Sequence, residues 1–413
     1  MKRPIPPRYG RSPWIDQFPK SRIPSYPSYG GAAERDVVVI GGGLTGCAAA
    51  YAFASAGVNV TLLEAARVGQ GRTADGPGWM SAEPDVDFVI LEKTIGLRHA
   101  RHAFQAWRRA ALEGAALLRR LDVKCALEPR DTLAIARDGE QAARLTREHK
   151  ARRAAGLEAA LLNARAASAA AAPGAAAALR VRDGATLDPY RACLGLAAAA
   201  AARGVRVFEQ SGVRRITFTR KHVDVFTAAG AIRTRAVVVA TGIPTPLFRA
   251  LIRHFWFRTA WLALTGPMPA RVRRAIGARA AVVRDGASPP HLVRWVGDQR
   301  LLVSGAETQS GPPRLRSRAI VQQSMELMYE LSTIYPEISG IQPTHGWDTE
   351  FAKTDDGLPY FGRHRNFPMH LFAFGGDSRS VTGSFLASRM LLREFLGAPE
   401  PADAPFEFAR HGR

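Results

Sequence analysis

The feature that most constrains this chain is a strand, a glycine-rich turn, a helix, a second strand and an acid in direct succession over residues 36–64. Val37–Ile40 is a short apolar run, which is typical of a strand buried on both faces. Gly41-x-Gly43-x-x-Gly46 leads into an apolar helix, and a second strand, Val58–Leu63, ends at Glu64. This order predicts a β–α–β unit of the Rossmann-like, doubly wound α/β class.

The residue types in this unit suit a dinucleotide. Gly41 permits a tight turn, Gly43 lets the backbone approach a pyrophosphate, and Gly46 allows the helix to pack closely on the strand. The helix N-terminus offers free N–H groups to the phosphates. Glu64 follows Gly41 by 23 residues, a spacing that suits a ribose hydroxyl. We therefore predict a nucleotide site at Gly41, Gly43, Leu44, Thr45, Gly46, Glu64 and Ala65.

The charge of the chain does not by itself indicate a nucleic-acid partner. The formal net charge is +21, but all except seven of the 57 basic residues are arginines, and they are scattered. No helix-turn-helix, zinc-finger or RNA-binding pattern accompanies them, so we interpret the excess as a compositional bias. Cys47, Cys125 and Cys193 match no metal or disulfide spacing, and we predict no metal site.

The overall composition excludes global disorder, with 46% hydrophobic and 23% charged residues. Glycines interrupt the most apolar region, so no membrane span is predicted. The N-terminus is basic but lacks the apolar stretch of a secretory signal. We therefore expect a cytoplasmic protein, and its 413 residues favour two domains.

Periodicity and turn residues give a coarse secondary structure. Residues 1–33 form a proline-rich, basic arm, whose aromatic residues would pin it to the folded body. A helix is predicted over 99–121, and the alanine-rich residues 152–180 are predicted to be helical with a break at Pro173-Gly174. Asp188-Pro189 predicts the start of another helix. Further predictions are strands at 205–209, 213–219, 222–227 and 232–240, a hairpin at Gly297-Asp298, a helix at 317–334, an irregular segment, a strand at 370–374 and a helix at 383–396.

Four blocks of the sequence resemble the superfamily of FAD-dependent D-amino-acid oxidases and glycine oxidases. They are residues 37–64, the run Asp183-Gly184-Ala185-Thr186-Leu187-Asp188-Pro189-Tyr190, the strand 232–242 and the run Thr354-Asp355-Asp356-Gly357-Leu358-Pro359-Tyr360-Phe361-Gly362. The resemblance implies a Rossmann-like FAD-binding domain of the glutathione-reductase type, interleaved with an α+β substrate domain that contains an antiparallel sheet. The FAD-binding domain would comprise residues 34–98, 177–243 and 342–398, the substrate domain 99–176 and 244–341, and the C-terminal tail 399–413.

The resemblance also implies where FAD lies. The adenine would be near Glu64 and Val213, the pyrophosphate over residues 41–46, and the isoalloxazine between residues 71–79 and 375–382. A helix that starts near Gly383 would direct its N-terminus at the flavin. We expect non-covalent binding, because the segments predicted to face the flavin, residues 71–79 and 375–382, contain no cysteine. The other implied contacts are Arg72, Thr73, Thr241, Gly242, Gly375, Gly376, Ser378, Arg379, Ser380, Val381 and Thr382.

Three departures from the family pattern concern the site. Asp75 is an unexpected anion beside the cofactor unless Arg72 pairs with it. Residues 375–382 replace a Gly-Asn-Gly-like run. Phe351 stands where related oxidases carry an arginine that clamps the substrate carboxylate, although a small shift of alignment would bring Lys353 there. Without the clamp, glycine is expected to be a poor substrate, and Glu350 or Asp348 would attract a cationic amine.

The activity that the resemblance implies is oxidation of a C–N bond in an amine or N-substituted amino acid. A hydride passes to the flavin, the imine is hydrolysed, and oxygen or another acceptor reoxidises the flavin. Because the flavin carries the chemistry, no general-base motif is required. Candidate pocket residues are Phe351, Glu350, Arg294 and His254, with His291 and His345.

Three alternatives remain open from the sequence. The same fold oxidises C–OH bonds in 2-hydroxyacid and glycerophosphate dehydrogenases. A flavoprotein of this charge could instead act on, or dock to, a polyanion such as RNA or an anionic membrane. A flavin-fold module with altered loops could also lack enzyme activity.

Overall fold

The computed structural model describes residues 6–276, 281–297, 299–376 and 380–410. In its first part the chain forms β1 (Arg8–Tyr9), α1 (Pro13–Asp16), β2 (Gly31–Ile40), α2 (Leu44–Ser55), β3 (Val60–Leu63), α3 (Arg72–Asp75) and β4 (Trp79–Met80). The next elements are α4 (Phe88–Arg120), β5 (Glu128–Pro129), β6 (Asp131–Ala136), α5 (Gly139–Ala154), β7 (Ala160–Asn163), α6 (Ala164–Ala170), β8 (Ala177–Val181), β9 (Ala185–Thr186) and α7 (Pro189–Ala202).

The second half contains most of the strands. They and the intervening helices are β10 (Arg206–Phe208), β11 (Arg215–Phe218), β12 (Val223–Phe226), β13 (Gly230–Gly242), β14 (Trp256–Thr265), α8 (Ala270–Ile276), β15 (Ala281–Arg284), β16 (Leu292–Val296), β17 (Arg300–Gln309), α9 (Arg316–Ile334), β18 (Pro343–Lys353), β19 (Tyr360–His364), β20 (Phe367–Phe374) and α10 (Thr382–Phe395). Short 3₁₀ turns occur at Lys20–Arg22, Pro246–His254, Pro313–Leu315, Pro336–Ile338 and Pro401–Phe406.

One sheet is built around the glycine motif and has the order β10-β3-β2-β13-β12-β11, with β20 paired to β13 and β19 to β20. β10, β3, β2, β13 and β20 are parallel to one another. Val37, Val38 and Val39 are fully buried in β2, as expected for a strand covered on both faces. Helices α2, α7 and α10 pack together on one side of this sheet. The predicted Rossmann-like β–α–β unit is therefore confirmed.

The other large sheet has the order β1-β18-β14-β17-β16-β15-β6-β8-β7. Its centre is antiparallel, with β14 between β18 and β17. Helix α9 covers this part of the sheet, and Leu327 and Leu331 from the helix share a core with Trp261 and Val303 from the strands. The predicted hairpin is present as the antiparallel pair β16–β17, with Val296 opposite Arg300; its turn residue Asp298 lies outside the described residues.

The prediction of a helix over 152–180 is wrong. Helix α5 ends at Ala154, and the residues that follow form β7, the short helix α6 and β8. β8 lies between β6 and β7, and its Ala178 and Leu179 are buried. Pairing on both sides stabilises this strand and outweighs the intrinsic preference of alanine for helix.

Residues 343–353 were expected to be irregular, and this expectation is also wrong. They form β18, which lies between β1 and β14 and carries Trp347 and Phe351. Both β8 and β18 fall in ranges predicted for the FAD-binding domain, yet both pair in the nine-stranded sheet. The predicted helix over 99–121 also starts earlier, at Phe88, with a break at Gly96.

Candidate functional site

Leu44 and Thr45 of the glycine motif line a cleft, and the glycines around them serve different purposes. Gly41 has a φ of +106°, and a Cβ there would lie 2.8 Å from the Ala240 carbonyl oxygen. A Cβ on Gly46 would overlap the Gly41 carbonyl. A Cβ on Gly43 would meet, among the described residues, only the Thr73 hydroxyl at 3.1 Å. Gly41 and Gly46 are therefore required by backbone packing, whereas a Cβ on Gly43 would meet only one side-chain hydroxyl among the described atoms.

Three helices contribute hydroxyl groups to this cleft. The Leu44 N–H, in the first turn of α2, donates to Thr73 Oγ1 from α3 at 2.9 Å. Thr45 Oγ1 and Ser384 Oγ, from α2 and α10, lie 2.8 Å apart. All four residues line a cleft of about 790 Å³ that is partly open to solvent, which we call the first cleft.

Glu64 lies at the end of β3 beside the glycine turn. Its carboxylate accepts hydrogen bonds from the Gly42 N–H at 2.6 Å and the Ala66 N–H at 2.8 Å. Ala65 is next to the segment that leads to Val213, since a Cβ on Gly212 would lie 3.4 Å from the Ala65 Cβ. The structure thus brings the residues predicted for the adenosine end together at one edge of the sheet.

The opposite wall of the first cleft comes from the ends of β13 and β20 and from the start of α10. The Gly375 N–H donates to the Gly242 carbonyl at 3.1 Å. Gly376 lines the cleft, and no described atom stands within 4 Å of the place where its Cβ would be. Ser380 and Val381 also line the cleft, whereas Ser378 and Arg379 lie outside the described residues.

A buried hydroxyl network fixes the start of α10. Thr382 Oγ1 donates to the Ser81 carbonyl at 2.6 Å and accepts from Ser380 Oγ at 3.1 Å. The Ser81 N–H donates back to Ser380 Oγ at 3.1 Å, and the Val381 N–H donates to the Trp79 carbonyl at 2.8 Å. These bonds hold the N-terminus of α10 and the segment after β4 against each other. Thr382 is therefore a support of the cleft rather than part of its lining.

Arg72, the residue that could pair with Asp75, forms no ion pair or side-chain hydrogen bond with it in the described part of the chain. Arg72 reaches into the first cleft and donates to the Thr241 carbonyl. Burial and the neighbouring Asp348 raise the pKa of Asp75 to about 7, against the opposing influence of Arg316 and Arg72. Asp75 is thus partly protonated near neutral pH.

Phe351 lies where the first cleft meets a larger one of about 1760 Å³, which we call the second cleft. Arg258 is directly opposite Phe351 in the β14–β18 pairing and also lines the second cleft. The Lys353 ammonium is 5.7 Å from the Phe351 ring centroid and is paired with Glu307. Arg258 is exposed and its backbone pairs within the sheet, but its guanidinium has no hydrogen bond or ion pair with another described residue. It is a cation beside Phe351 that the sequence did not indicate.

The two acids near Phe351 differ in their surroundings. Asp348 is buried and is held by the Arg316 guanidinium at 2.7 Å. Glu350 is exposed and lines the first cleft, and its carboxylate has no hydrogen bond or ion pair with another described residue. Glu350 is therefore the carboxylate that is accessible to a cationic group.

The other candidate pocket residues lie away from the lining of both clefts. Arg294 is buried, stacks on Trp14 and donates to the carbonyls of Gly78 and Leu187. His254 packs among aromatic rings, 5.7 Å from Tyr360 and 6.0 Å from Phe408 between centroids. His291 contacts Asp285 and Glu330, and His345 contacts Asp16. Their positions indicate structural roles.

Neither a metal cluster nor a membrane span is found in the parts of the chain that the structure describes. No three His, Cys, Asp or Glu residues there are arranged to hold a metal ion. No helix there is both long and apolar enough to cross a bilayer.

Comparison with known proteins finds similarity over most of the chain. The family model described as FAD dependent oxidoreductase (DAO) matches residues 36–393. Gamma-glutamylputrescine oxidoreductase from Escherichia coli is 26% identical over 377 residues, which cover 89% of this chain and 85% of that protein. Glycine oxidase from Bacillus licheniformis is 24% identical, covering 88% and 94%. The crystal structure of glycine oxidase from Geobacillus kaustophilus superposes with a TM-score of 0.76 at 21% identity, covering 92% of this chain and 99% of that one.

Proposed function

The chain belongs to the DAO family of FAD-dependent oxidoreductases, and from that premise we propose that it oxidises a C–N bond in an amine or an N-substituted amino acid. FAD, when bound, supplies the hydride acceptor, and the resulting imine is hydrolysed in water. The names of two relatives above refer to an amine, gamma-glutamylputrescine, and to an amino acid, glycine. The two clefts are the basis for a proposal on the exact substrate.

The first cleft and the adjoining glycine turn offer donors that suit FAD. A bound group could come close to the backbone at Gly43 and Gly376, because a Cβ would meet only the Thr73 hydroxyl at Gly43 and no described atom within 4 Å at Gly376. The N-termini of α2 and α10 both face this space, and each leaves N–H groups for negatively charged atoms. Gly41–Gly46 and Thr73 would hold the pyrophosphate, Glu64 the ribose, and Gly376 with residues 380–384 the ring system.

The observation that carries the substrate proposal is the junction of the two clefts at Phe351. A molecule in the second cleft reaches the first cleft past this ring, so its reactive carbon would lie over Phe351. Glu350 provides a negative charge on the side of the first cleft, and Arg258 provides a positive charge on the side of the second. The pair suits a substrate with an amine at one end and an anionic group further away.

Lys353 and Arg294, the two cations considered from the sequence, are less suitable as anchors. Lys353 is neutralised by Glu307. Arg294 lies behind the loop that forms the wall of the first cleft. Arg258 has its donors available, and a guanidinium binds a carboxylate with two parallel hydrogen bonds. We therefore assign the anionic end of the substrate to Arg258.

The reaction type is tested by anaerobic bleaching of the purified flavoprotein. We expect amines and N-substituted amino acids to reduce the flavin absorbance, and 2-hydroxyacids and glycerol phosphate to leave it unchanged. Bleaching by a hydroxyacid but by no amine would overturn the proposal in favour of C–OH oxidation.

The assignment of Arg258 is tested with Arg258→Met. The value of kcat/KM should fall roughly 10- to 100-fold for a substrate with a carboxylate, the loss expected for one charged hydrogen-bonded contact. It should change little for the same amine without its carboxylate. Arg253→Met is a matched control, because Arg253 is exposed and does not line either cleft. Equal losses for both substrates would contradict the assignment.

A further inference from the structure

The N-terminal segment from residue 6 to residue 30 reaches both sheets of the molecule. At one end β1 pairs with the edge strand β18, with Tyr9 opposite Gly346. At the other end the Tyr29 N–H donates to Ser211 Oγ at 2.8 Å, and the Tyr29 hydroxyl donates to the Ala231 carbonyl at 3.0 Å. Trp14 lies between these two anchors and is only 7% exposed.

Trp14 contacts the loop that forms one wall of the first cleft. Its indole Nε1–H donates to the Gly76 carbonyl at 2.9 Å. Its ring lies 5.3 Å from the guanidinium carbon of Arg294, which in turn donates to the Gly78 carbonyl. Burial lowers the pKa of Arg294 to about 9. Trp14 of the arm therefore covers the buried Arg294 guanidinium, which is hydrogen-bonded to the same loop.

A second indole forms a hydrogen bond to the preceding carbonyl of this loop. Trp347 Nε1–H, from β18, donates to the Asp75 carbonyl at 2.9 Å. In a planar trans peptide the C=O and the following N–H point in opposite directions, so the Gly76 N–H is turned away from Trp347. No acceptor for this N–H is found among the described residues, although Gly76 is buried and lines the first cleft.

The next peptide has no N–H, because residue 77 is a proline. Trp14 and Trp347 thus fix two successive carbonyls, and the single N–H between them, on a residue that lines the first cleft, has no acceptor among the described residues. A buried N–H without a partner is costly, and a bound group with an acceptor atom at this place would satisfy it.

We propose that Trp14 is a positioning residue for the cofactor: together with Trp347 it sets the Asp75–Pro77 peptides so that the Gly76 N–H donates to an acceptor atom of bound FAD. The proline-rich arm is then a component of the cofactor site. This inference depends on FAD binding and is independent of the substrate proposed above.

The test is Trp14→Phe, which keeps a ring over Arg294 but removes the indole N–H. Apoprotein is titrated with FAD, the Kd is measured by quenching of flavin fluorescence, and the Tm of the apoprotein is recorded separately. We expect the Kd to rise roughly tenfold, as for one lost hydrogen bond, with an apoprotein Tm close to that of the wild type. Trp256→Phe is the matched control, because Trp256 is 52% exposed and lines neither cleft.

A Kd within twofold of the wild type would overturn the proposal. So would a fall in apoprotein Tm large enough to account for the weaker binding, because that outcome indicates a general structural role.

If Trp14→Phe does not fold, Trp347→Phe provides the second test, since it releases the other carbonyl of the same peptide pair. It should also raise the Kd for FAD roughly tenfold and change the shape of the bound-flavin absorbance band. Unchanged affinity and an unchanged band in Trp347→Phe would then refute the role of the Gly76 N–H.

Discussion

At the scale of the residue, two glycines of one motif are needed for different reasons. Gly46 lies where the helix crosses the turn, so any side chain would overlap the Gly41 carbonyl. Gly43 has a φ of −75°, which other residues adopt freely, and the space before it is nearly empty of protein. We therefore expect folding to depend on Gly46 and cofactor binding to depend on Gly43.

The first prediction separates these two roles. Gly43→Val should give folded apoprotein with nearly wild-type Tm but without retained FAD, because its side chain fills the space where the pyrophosphate would lie. Gly46→Ala should destabilise the apoprotein itself by about 1–3 kcal/mol or more, the usual cost of overpacking. Thermal unfolding of apoprotein and flavin absorbance after gel filtration measure the two effects. Stoichiometric flavin in Gly43→Val would show that the dinucleotide site lies elsewhere.

The second prediction concerns Glu64, which also belongs to this motif. Glu64→Ala should weaken FAD binding without abolishing it, because one hydrogen bond to a charged group contributes about 1.5–3 kcal/mol. The variant also removes the acceptor of the Gly42 N–H, which water can replace at this partly exposed position. The Kd for FAD should rise roughly 10- to 150-fold. A complete loss of binding at saturating FAD would indicate that Glu64 shapes the turn.

The third prediction concerns Asp75 and pH. The pKa of Asp75 in the folded protein, about 7, is raised by burial and by Asp348, whereas an unfolded aspartate titrates near 3.9. Between these values the folded state binds more protons than the unfolded state, so stability falls as pH rises from about 4 to 7. Asp75→Asn removes this loss. Its Tm should exceed that of the wild type at pH 8 and match it near pH 4, and an equal difference at both pH values would contradict the assignment.

At the scale of the element, the sequence predicted what depends on local pattern. The β–α–β unit and the helix capped by Asp188, whose side chain accepts from the Arg191 N–H at 3.0 Å, follow from glycine spacing, apolar runs and capping residues. β8 and β18 could not be predicted this way. β8 is alanine-rich and is a strand because β6 and β7 flank it. β18 carries His345, Asp348 and Glu350 and lacks a clear alternation of polar and apolar residues.

The residues of the candidate site also divide into those indicated by local sequence pattern and those placed by tertiary structure. Gly41, Gly43, Glu64 and Thr73 were indicated by a motif or by the family resemblance, and the structure brings them to one edge of the sheet. Arg258 was not indicated, because its place beside Phe351 is set by the register of two strands far apart in sequence. Trp14 was expected only to pin the arm, because its bond to Gly76 joins residues 62 positions apart.

The fourth prediction concerns the start of α10, which is held by the network of Thr382, Ser380 and Ser81. Thr382→Val keeps the volume of the fully buried side chain but leaves the Ser81 carbonyl and the Ser380 hydroxyl without this partner. The free energy of unfolding should fall by about 1–3 kcal/mol. Thr333→Val, at an exposed position near the end of α9, is the control and should change stability by less than about 0.5 kcal/mol. Equal effects of the two substitutions would show that the network contributes nothing.

At the scale of the whole molecule, many of the arginines have structural partners. Arg410 donates to the Asp356 carboxylate at 2.6 Å and lies 3.6 Å from the Tyr360 ring centroid. Arg152 lies between Glu83 and Glu148 and is buried with them. Such pairs give part of the arginine content a structural role, and the interpretation of the net positive charge as a compositional bias stays a prediction.

The first cleft joins the two large sheets, since its lining includes the end of β13 from one sheet and Thr349–Phe351 of β18 from the other. Bound FAD would therefore stabilise both sheets together. A ligand that binds the folded state at 100 times its Kd adds about 2.7 kcal/mol to stability. The Tm should accordingly rise with FAD concentration in the wild type and stay constant in Gly43→Val.

The last prediction is that the FAD is bound without a covalent link. The described lining of the first cleft contains no cysteine, histidine or tyrosine, the usual side chains for such a link. Cys47 and Cys193 are buried against each other with their sulfur atoms 3.7 Å apart, both directed at the Gly42 carbonyl, and Cys125 is also buried. Acid precipitation should therefore release all yellow colour into the supernatant. Colour that remained with the washed pellet would show a covalent attachment and would contradict the prediction.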